Sequence, residues 1–561
     1  MRLFAPWFFT LLPILACSAT NDEPIGDPGR SGAGGARAGD AALDLGASGN
    51  GGRADASLGG ADGGPTGDDS PDGTRADALL PRDDASRADG SAGQTPIDAA
   101  TGGAGGTGGA GAGAAGSGGT GGTSGSAGGT GADGGGSGGR GGAAGSAGTG
   151  GSAGTSGTGG GGGARRAVGY FAAWGVYGRA YFVKNIETSG SAARLTHINY
   201  AFANIAPDFK CAIGDSYADY DQAYDATKSV DGVADTWDAG VLRGSFNQLK
   251  KLKAKHPGLK ILISVGGWTW SDKFSDAALT ADSRRTLVKS CIDMYIKGAF
   301  AAGLSHPGIF DGIDIDWEYP AVLGNTDHYR PEDTVNFTAL LGEFRAQLDA
   351  QGAADGKTYD LTIAAPAGKD KYAKIEIDKI HPSLGAVNIM TYDMHGAWET
   401  VTNFHAPLAG STADPTSALE YDVDHAVQGW LAGGTPPGKL VVGLPFYGRG
   451  WKGVPPGPAG DGLYQTATGG GAQGTYELGI EDYHVLKTLG AAYQPHRHPE
   501  ARAFWVHSPI DGIFWSYDDP TSIAEKTAYI KSKGLGGAML WELSGDDATG
   551  TLMAAVSDGL K

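Results

Sequence analysis

The run DGIDIDWEYP, residues 311 to 320, puts acidic side chains at Asp311, Asp314, Asp316 and Glu318. On an extended strand alternate residues share a face, about 6.6–7 Å apart. Asp314, Asp316 and Glu318 therefore point one way and Ile313, Ile315 and Trp317 the other. Asp311 is out of phase with the acidic face, which implies a structural role. Three like charges along a buried face are costly and force at least one carboxyl to keep its proton. A strand that only packs has no use for such a row. A metal cage or a buried ion-pair network are the other ways to tolerate it, but no other strand end supplies the acidic cluster that a Mg²⁺ or Ca²⁺ cage needs. Acid–base chemistry explains the row best, with Glu318, the outermost carboxyl, as proton donor. Neither a metal nor a cofactor is expected.

Such a row needs a scaffold that holds it facing a cavity. From Ala167 onward eight short apolar runs alternate with polar, helix-like stretches: AVGYFAAW, THINYAFANI, LKILISVGGW, FDGIDIDWEY, YDLTIAAPA, AVNIMTYD, KLVVGLPFYGR and GGAMLWELSG. Eight buried-strand runs separated by helices predict an α/β fold, a (β/α)8 TIM barrel, whose sites lie at the C-terminal ends of the strands. No glycine-rich phosphate loop follows the first run, which disfavours a doubly wound open sheet. About sixty residues separate the seventh and eighth runs, too many for a bare loop. They predict a small α+β insertion over 453–512, within a catalytic domain spanning 165–561.

The remainder has a different texture. Of 561 residues 100 are glycine, most of them before position 164. A segment so poor in apolar side chains cannot offset its ordering entropy, so 18–164 reads as a disordered Asp- and Gly-rich tether. Residues 1–17, one Arg followed by an apolar run and small residues, read as an export signal. The end of that run, Leu-Ala-Cys at 15–17, resembles the lipoprotein cleavage box, which makes Cys17 the lipidated residue and the outer leaflet or cell surface the destination; simple cleavage and secretion is the alternative. The formal net charge of -19 excludes a nucleic-acid partner, since a polyanion would be repelled. Cys211 and Cys291 could make one disulfide, but a domain of this size needs no staple, and the expectation is two small buried hydrophobes.

The acidic run resembles the DxxDxDxE signature of glycoside hydrolase family 18, the chitinases and their relatives. SVGG at 264–267, MTYD at 390–393, GLPFYGR at 443–449 and WELSGD at 541–546 resemble further motifs of that family in the same order. The resemblance implies a chitinase that cuts β-1,4 bonds between N-acetylglucosamine units by a substrate-assisted retaining mechanism. It gives Glu318 the role of acid, Asp316 that of holding the substrate acetamido group, and Asp314 that of sharing a proton with Asp316. Tyr392 would also bond the acetamido group, with Met390 and Asp393 lining the same pocket. Tyr170 and Ser264 would hydrogen-bond Asp314, Trp541 would form the floor at the point of cleavage, and Tyr447 and Arg449 would contact sugar. Trp268 and Trp398 would stack on the leaving side, and Trp174 would extend the other side. The implied partner is chitin or a chito-oligosaccharide, bound by a monomer. An endo-β-N-acetylglucosaminidase acting on N-glycans has the same mechanism, and a chitin-binding lectin has the same barrel without the acid. Both stay open at this point.

Overall fold

The computed structural model describes residues 164–561. The export signal, Cys17 and all but the last residue of the tether lie outside them. Among the described residues eight parallel strands close on themselves: β1 Arg166–Ala172, β2 His197–Ile205, β3 Lys260–Gly266, β4 Gly312–Asp316, β5 Asp360–Pro366, β6 Ala386–Met390, β7 Leu440–Pro445 and β8 Gly537–Trp541. Each pairs with the next, and β1 pairs with both β2 and β8, so the barrel has no free edge. Each of the eight apolar runs carries one of these eight strands, in order.

Two cores result from strand alternation. The outward residues Ile313, Ile315 and Trp317 of the β4 segment are buried in the layer between strands and helices. Each such side chain contributes roughly 1.5–3 kcal/mol. Trp317 stacks on Phe274 at 5.2 Å and meets Phe337 edge-on at 5.6 Å. Phe337 opens the buried stripe Phe337, Leu340, Leu341, Phe344 and Leu348 of the helix Asp333–Asp355. This i, i+3, i+4, i+7 spacing lays one helix face on the sheet. The inward residues form a smaller cluster of Val168, Tyr170, Ala201, Ala386, Val441 and Met539, with Phe202, Met390, Tyr392 and Trp541 packed against it. The outer layer thus holds β4 rigidly while its inner row faces the barrel lumen.

The insertion after β7 is a five-stranded antiparallel sheet. Its strands lie in the order Ile480–Asp482, Tyr447–Lys452, Ile513–Tyr517, Phe504–Ser508, Gln494–Arg497, with a short helix, Tyr483–Leu486. It runs from Tyr447 to Tyr517, wider than the 453–512 expected. The run KLVVGLPFYGR is therefore not one barrel strand. It divides at Phe446, whose N–H donates to Trp541 O at 2.8 Å while its carbonyl accepts from Tyr483 N–H at 3.0 Å. Continuous apolar character hides such a change of partner.

Cys211 and Cys291 form a disulfide across 80 residues, which corrects the expectation of two separate thiols. Cys211 sits in the strand pair Cys211–Ala212 that doubles back on β2, and Cys291 ends the helix Ala281–Cys291. A size argument says only that a staple is not required. It does not say whether folding brings two thiols together.

Candidate active site

β4 hydrogen-bonds as a strand as far as Asp316, and the in–out alternation continues two residues beyond it. Asp314, Asp316 and Glu318 are all buried, with 0%, 3% and 8% of their surfaces exposed. Exposure rises in sequence from the lumen to the mouth, so the outermost carboxyl is also the most accessible.

Asp314 is held from four strands. Tyr170 on β1 and Ser264 on β3 donate to Oδ2 at 2.6 and 2.8 Å. Thr362 on β5 donates to Oδ1 at 2.5 Å, with a longer contact of 3.4 Å from Asn388 on β6. Burial raises its pKa and these donors pull it back only in part. Asp316 has no such donors: its Oδ1 is buried and unpartnered among the described residues. Its pKa stands well above the usual carboxylate range, from burial first and then from Glu318 and Asp314. Glu318 is pushed up to about 7. The largest cause is again burial, with a hydrogen bond from Tyr319 opposing, Asp393 adding and Lys371 subtracting. Low dielectric, more than the neighbouring carboxylates, keeps this acid protonated near neutrality.

The SVGG motif has a steric origin. Gly266 and Gly267 have φ of +107° and +83°. A Cβ on Gly266 would lie 2.3 Å from Asp316 O, and one on Gly267 2.7 Å from the Phe202 ring. Only glycine lets β3 turn this closely around the carboxylate strand. The turn leaves Gly267 N–H donating to Asp316 O at 2.8 Å. It also sets Ser271 Oγ to accept from Glu318 N–H at 2.9 Å.

Around the row stands an aromatic and charged wall. Trp541, at the end of β8, lies with its ring centroid 5.4 Å from Tyr170, 5.7 Å from Phe202 and 6.2 Å from Trp174. Tyr392 O–H points to Met539 Sδ at 3.6 Å, and its pKa is raised by burial and then by Asp316, Asp393, Glu318 and Asp314. Asp393 Oδ1 accepts from Tyr447 O–H at 2.8 Å and from Arg449 Nε at 2.7 Å, tying the barrel mouth to the first strand of the insertion. Burial pushes the Asp393 carboxyl up, but the charge of Arg449 and these hydrogen bonds hold it below its usual range. The Arg449 guanidinium also lies over the Trp398 ring, 4.9 Å from its centroid. One face of Trp398 is thus taken by the protein. Trp268 is 39% exposed on the loop after β3. Met390 lines the lumen beside Tyr392.

The model of the glycosyl hydrolases family 18 matches residues 166–546. The chain belongs to that family. Among curated relatives, Chitinase A1 of Niallia circulans is 41% identical over 420 residues, covering 68% of this chain and 56% of that protein. Chitinase C of Streptomyces lividans is 44% identical over 388 residues, covering 68% and 58%. The chain thus spans a little over half the length of these relatives. The solved catalytic domain of psychrophilic chitinase B from Arthrobacter TAD20 is 45% identical, with a TM-score of 0.67, covering 71% of this chain and 95% of that one.

The structure brings Asp314, Asp316, Glu318, Tyr170, Ser264, Tyr392, Met390, Asp393, Trp541, Tyr447 and Arg449 near one another at the C-terminal end of the barrel. Trp398 is drawn to Arg449, while Trp268 stands on a separate loop. Four partners escaped sequence reasoning: Thr362, Asn388, Ser271 and His405. Thr362 and Asn388 left a signal, as polar residues at inward positions of the apolar runs DLTIAAP and AVNIM. Ser271 and His405 lie in loops, where no periodicity marks them. Among the described residues no group of three or more His, Cys, Asp or Glu side chains is placed to hold a metal ion.

Proposed function

We propose that the chain is a chitinase that cleaves β-1,4 bonds between N-acetylglucosamine units with retention of anomeric configuration. Glu318 gives its proton to the glycosidic oxygen as the bond from that oxygen to the anomeric carbon breaks. The carbonyl oxygen of the neighbouring N-acetyl group bonds to the anomeric carbon, giving an oxazolinium ion. Asp316 accepts the acetamido N–H and stabilises the positive charge, while Asp314 shares a proton with Asp316 and Tyr392 bonds the acetamido group. Water then attacks, Glu318 takes its proton, and the ring opens to the retained product.

One observation carries the reading: a buried, unpartnered oxygen on Asp316 lies next in the row to an acid that stays protonated up to about pH 7. A carboxylate acting as nucleophile would be kept ionised, whereas this one is pushed strongly toward its protonated form. That suits a mechanism in which the substrate supplies the nucleophile. Trp541 and the Trp174 and Phe202 rings beside it suit the apolar faces of sugars.

Incubation with a defined chito-oligosaccharide, followed by NMR of the first product formed, tests this. The β-anomer should appear first, and an N-glycoprotein should remain uncut. An initial α-anomer would overturn the mechanism, and release of N-glycans without cleavage of the oligomer would overturn the substrate.

We also propose that the enzyme acts as a monomer outside the cytoplasm, anchored through a lipid on Cys17. The apolar run before Cys17 and the disulfide, at home in an oxidising compartment, support this. No helix among the described residues is long and apolar enough to cross a membrane. Loss of Cys17→Ser protein from the membrane fraction is the expected result; unchanged retention would refute the anchor.

A further inference from the structure

Asp393 occupies a backbone conformation that few side chains adopt, with φ of +55°. Its neighbour across the loop, His405, is fully buried and grips this backbone at two successive amides. Asp393 N–H donates to His405 Nδ1 at 3.2 Å, and Met394 N–H donates to the His405 carbonyl at 3.0 Å. Burial pushes the imidazole down to about 3, so Nδ1 keeps the lone pair that the first bond needs and the ring proton sits on Nε2.

The far side of His405 is fixed too. Its backbone N–H donates to Ser516 Oγ at 3.0 Å, and its ring lies 4.7 Å from that of Tyr447. Ser516 is the register partner of Arg449 in the insertion sheet. Arg449 Nε in turn donates to Asp393 Oδ1. A closed circuit results: His405 to Ser516, across the strand pair to Arg449, on to Asp393, and back to His405. Every link joins the barrel to the insertion or fixes the residue that does.

We propose that His405 is a positioning residue that locks the Asp393 backbone, and through Asp393 sets Tyr447 and Arg449 as the insertion's wall of the substrate cleft. It touches no reacting atom. Its influence on a sugar rests on the glycosidase reading above, whereas the lock on Asp393 does not.

The test compares side chains in the full chain. Asparagine carries its Oδ1 where histidine carries Nδ1, and so keeps the acceptor. Phenylalanine keeps the ring against Tyr447 but has no acceptor, and glutamine moves its acceptor out by one bond. Two readouts are used: amide hydrogen exchange of the peptide covering residues 391–396 without ligand, and KM and kcat on a chito-oligosaccharide. His405→Phe and His405→Gln should speed exchange of that peptide and raise KM about tenfold, the order expected for a displaced charge-assisted contact, with a smaller change in kcat. His405→Asn should stay near wild type in both. A purely structural role would instead lower the folded fraction, and with it apparent kcat, at constant KM. If His405→Phe does not fold, the Asn and Gln variants decide alone, since they differ only in where the oxygen sits. Equal behaviour of those two, or exchange unchanged in a folded Phe variant, overturns the lock. Faster exchange with KM unchanged overturns the link to substrate. Wild-type protein that cuts no chito-oligosaccharide refutes the glycosidase reading, while the exchange arm still decides the lock.

Discussion

The two ends of the barrel treat a carboxyl packed among the strands in opposite ways, using the same strands. At the bottom, Asp360 opens β5 and meets Arg166 at the start of β1 at 2.6 Å, with His197 of β2 3.6 Å away. Burial raises the Asp360 carboxyl, but hydrogen bonding to His197 and the charge of Arg166 outweigh it and hold the group far below its usual range. At the top, Thr362 of β5 and Tyr170 of β1 offer only neutral hydroxyls to Asp314, and Asp314, Asp316 and Glu318 all move up. Burial alone therefore does not set the direction of the shift. A permanent cation within reach fixes a carboxylate at the bottom, and its absence from Asp314 and Asp316 leaves the mouth with protons to trade.

The sharpest break in this comparison is Glu318→Gln. Removing the acid should lower kcat by about a thousandfold, as expected for loss of a general acid that also serves as base, and the melting temperature should not fall. Retention of substantial hydrolysis would show that the proton comes from elsewhere. Asp360→Ala should do the reverse, costing about 2 kcal/mol in denaturant unfolding because it strands Arg166 in a largely buried site, with kcat/KM changed less than twofold. The sign with pH follows from linkage. A carboxyl held below its unfolded value contributes stability above pH about 4 and loses it as pH falls, so wild type and Asp360→Ala should converge in acid. The smallest effect concerns the mouth. Glu318 must be protonated to act, so kcat/KM should fall as pH rises through about 7. Asp393 is one of the groups raising Glu318, and Asp393→Asn should move that descending limb to lower pH. A limb displaced upward would contradict the electrostatics described for the row.

Much of this was legible in the chain. The order of the eight strands and the inward phase of Asp314, Asp316 and Glu318 follow from period-two alternation. Tyr170, Tyr392 and Trp541 were reached through the resemblance to family 18. Other features were not legible. The run KLVVGLPFYGR reads as one strand because both of its halves are apolar, although it changes sheet at Phe446. Trp398 reads as a free stacking ring because nothing near it in sequence announces Arg449.

The sequence by itself determined which residues could face inward, since alternation is a property of the local backbone and needs no partner. Only closure of the barrel decided what those residues would meet. Tyr170 and Thr362 come to Asp314 from 144 and 48 residues away, Cys211 reaches Cys291 across 80, and Ser516 reaches His405 from 111. Contacts at such separations depend on the full set of strand registers and helix packings, and no window of sequence contains them. The same is true of the proton on Glu318, since the burial that holds it there is supplied by the assembled walls of the mouth.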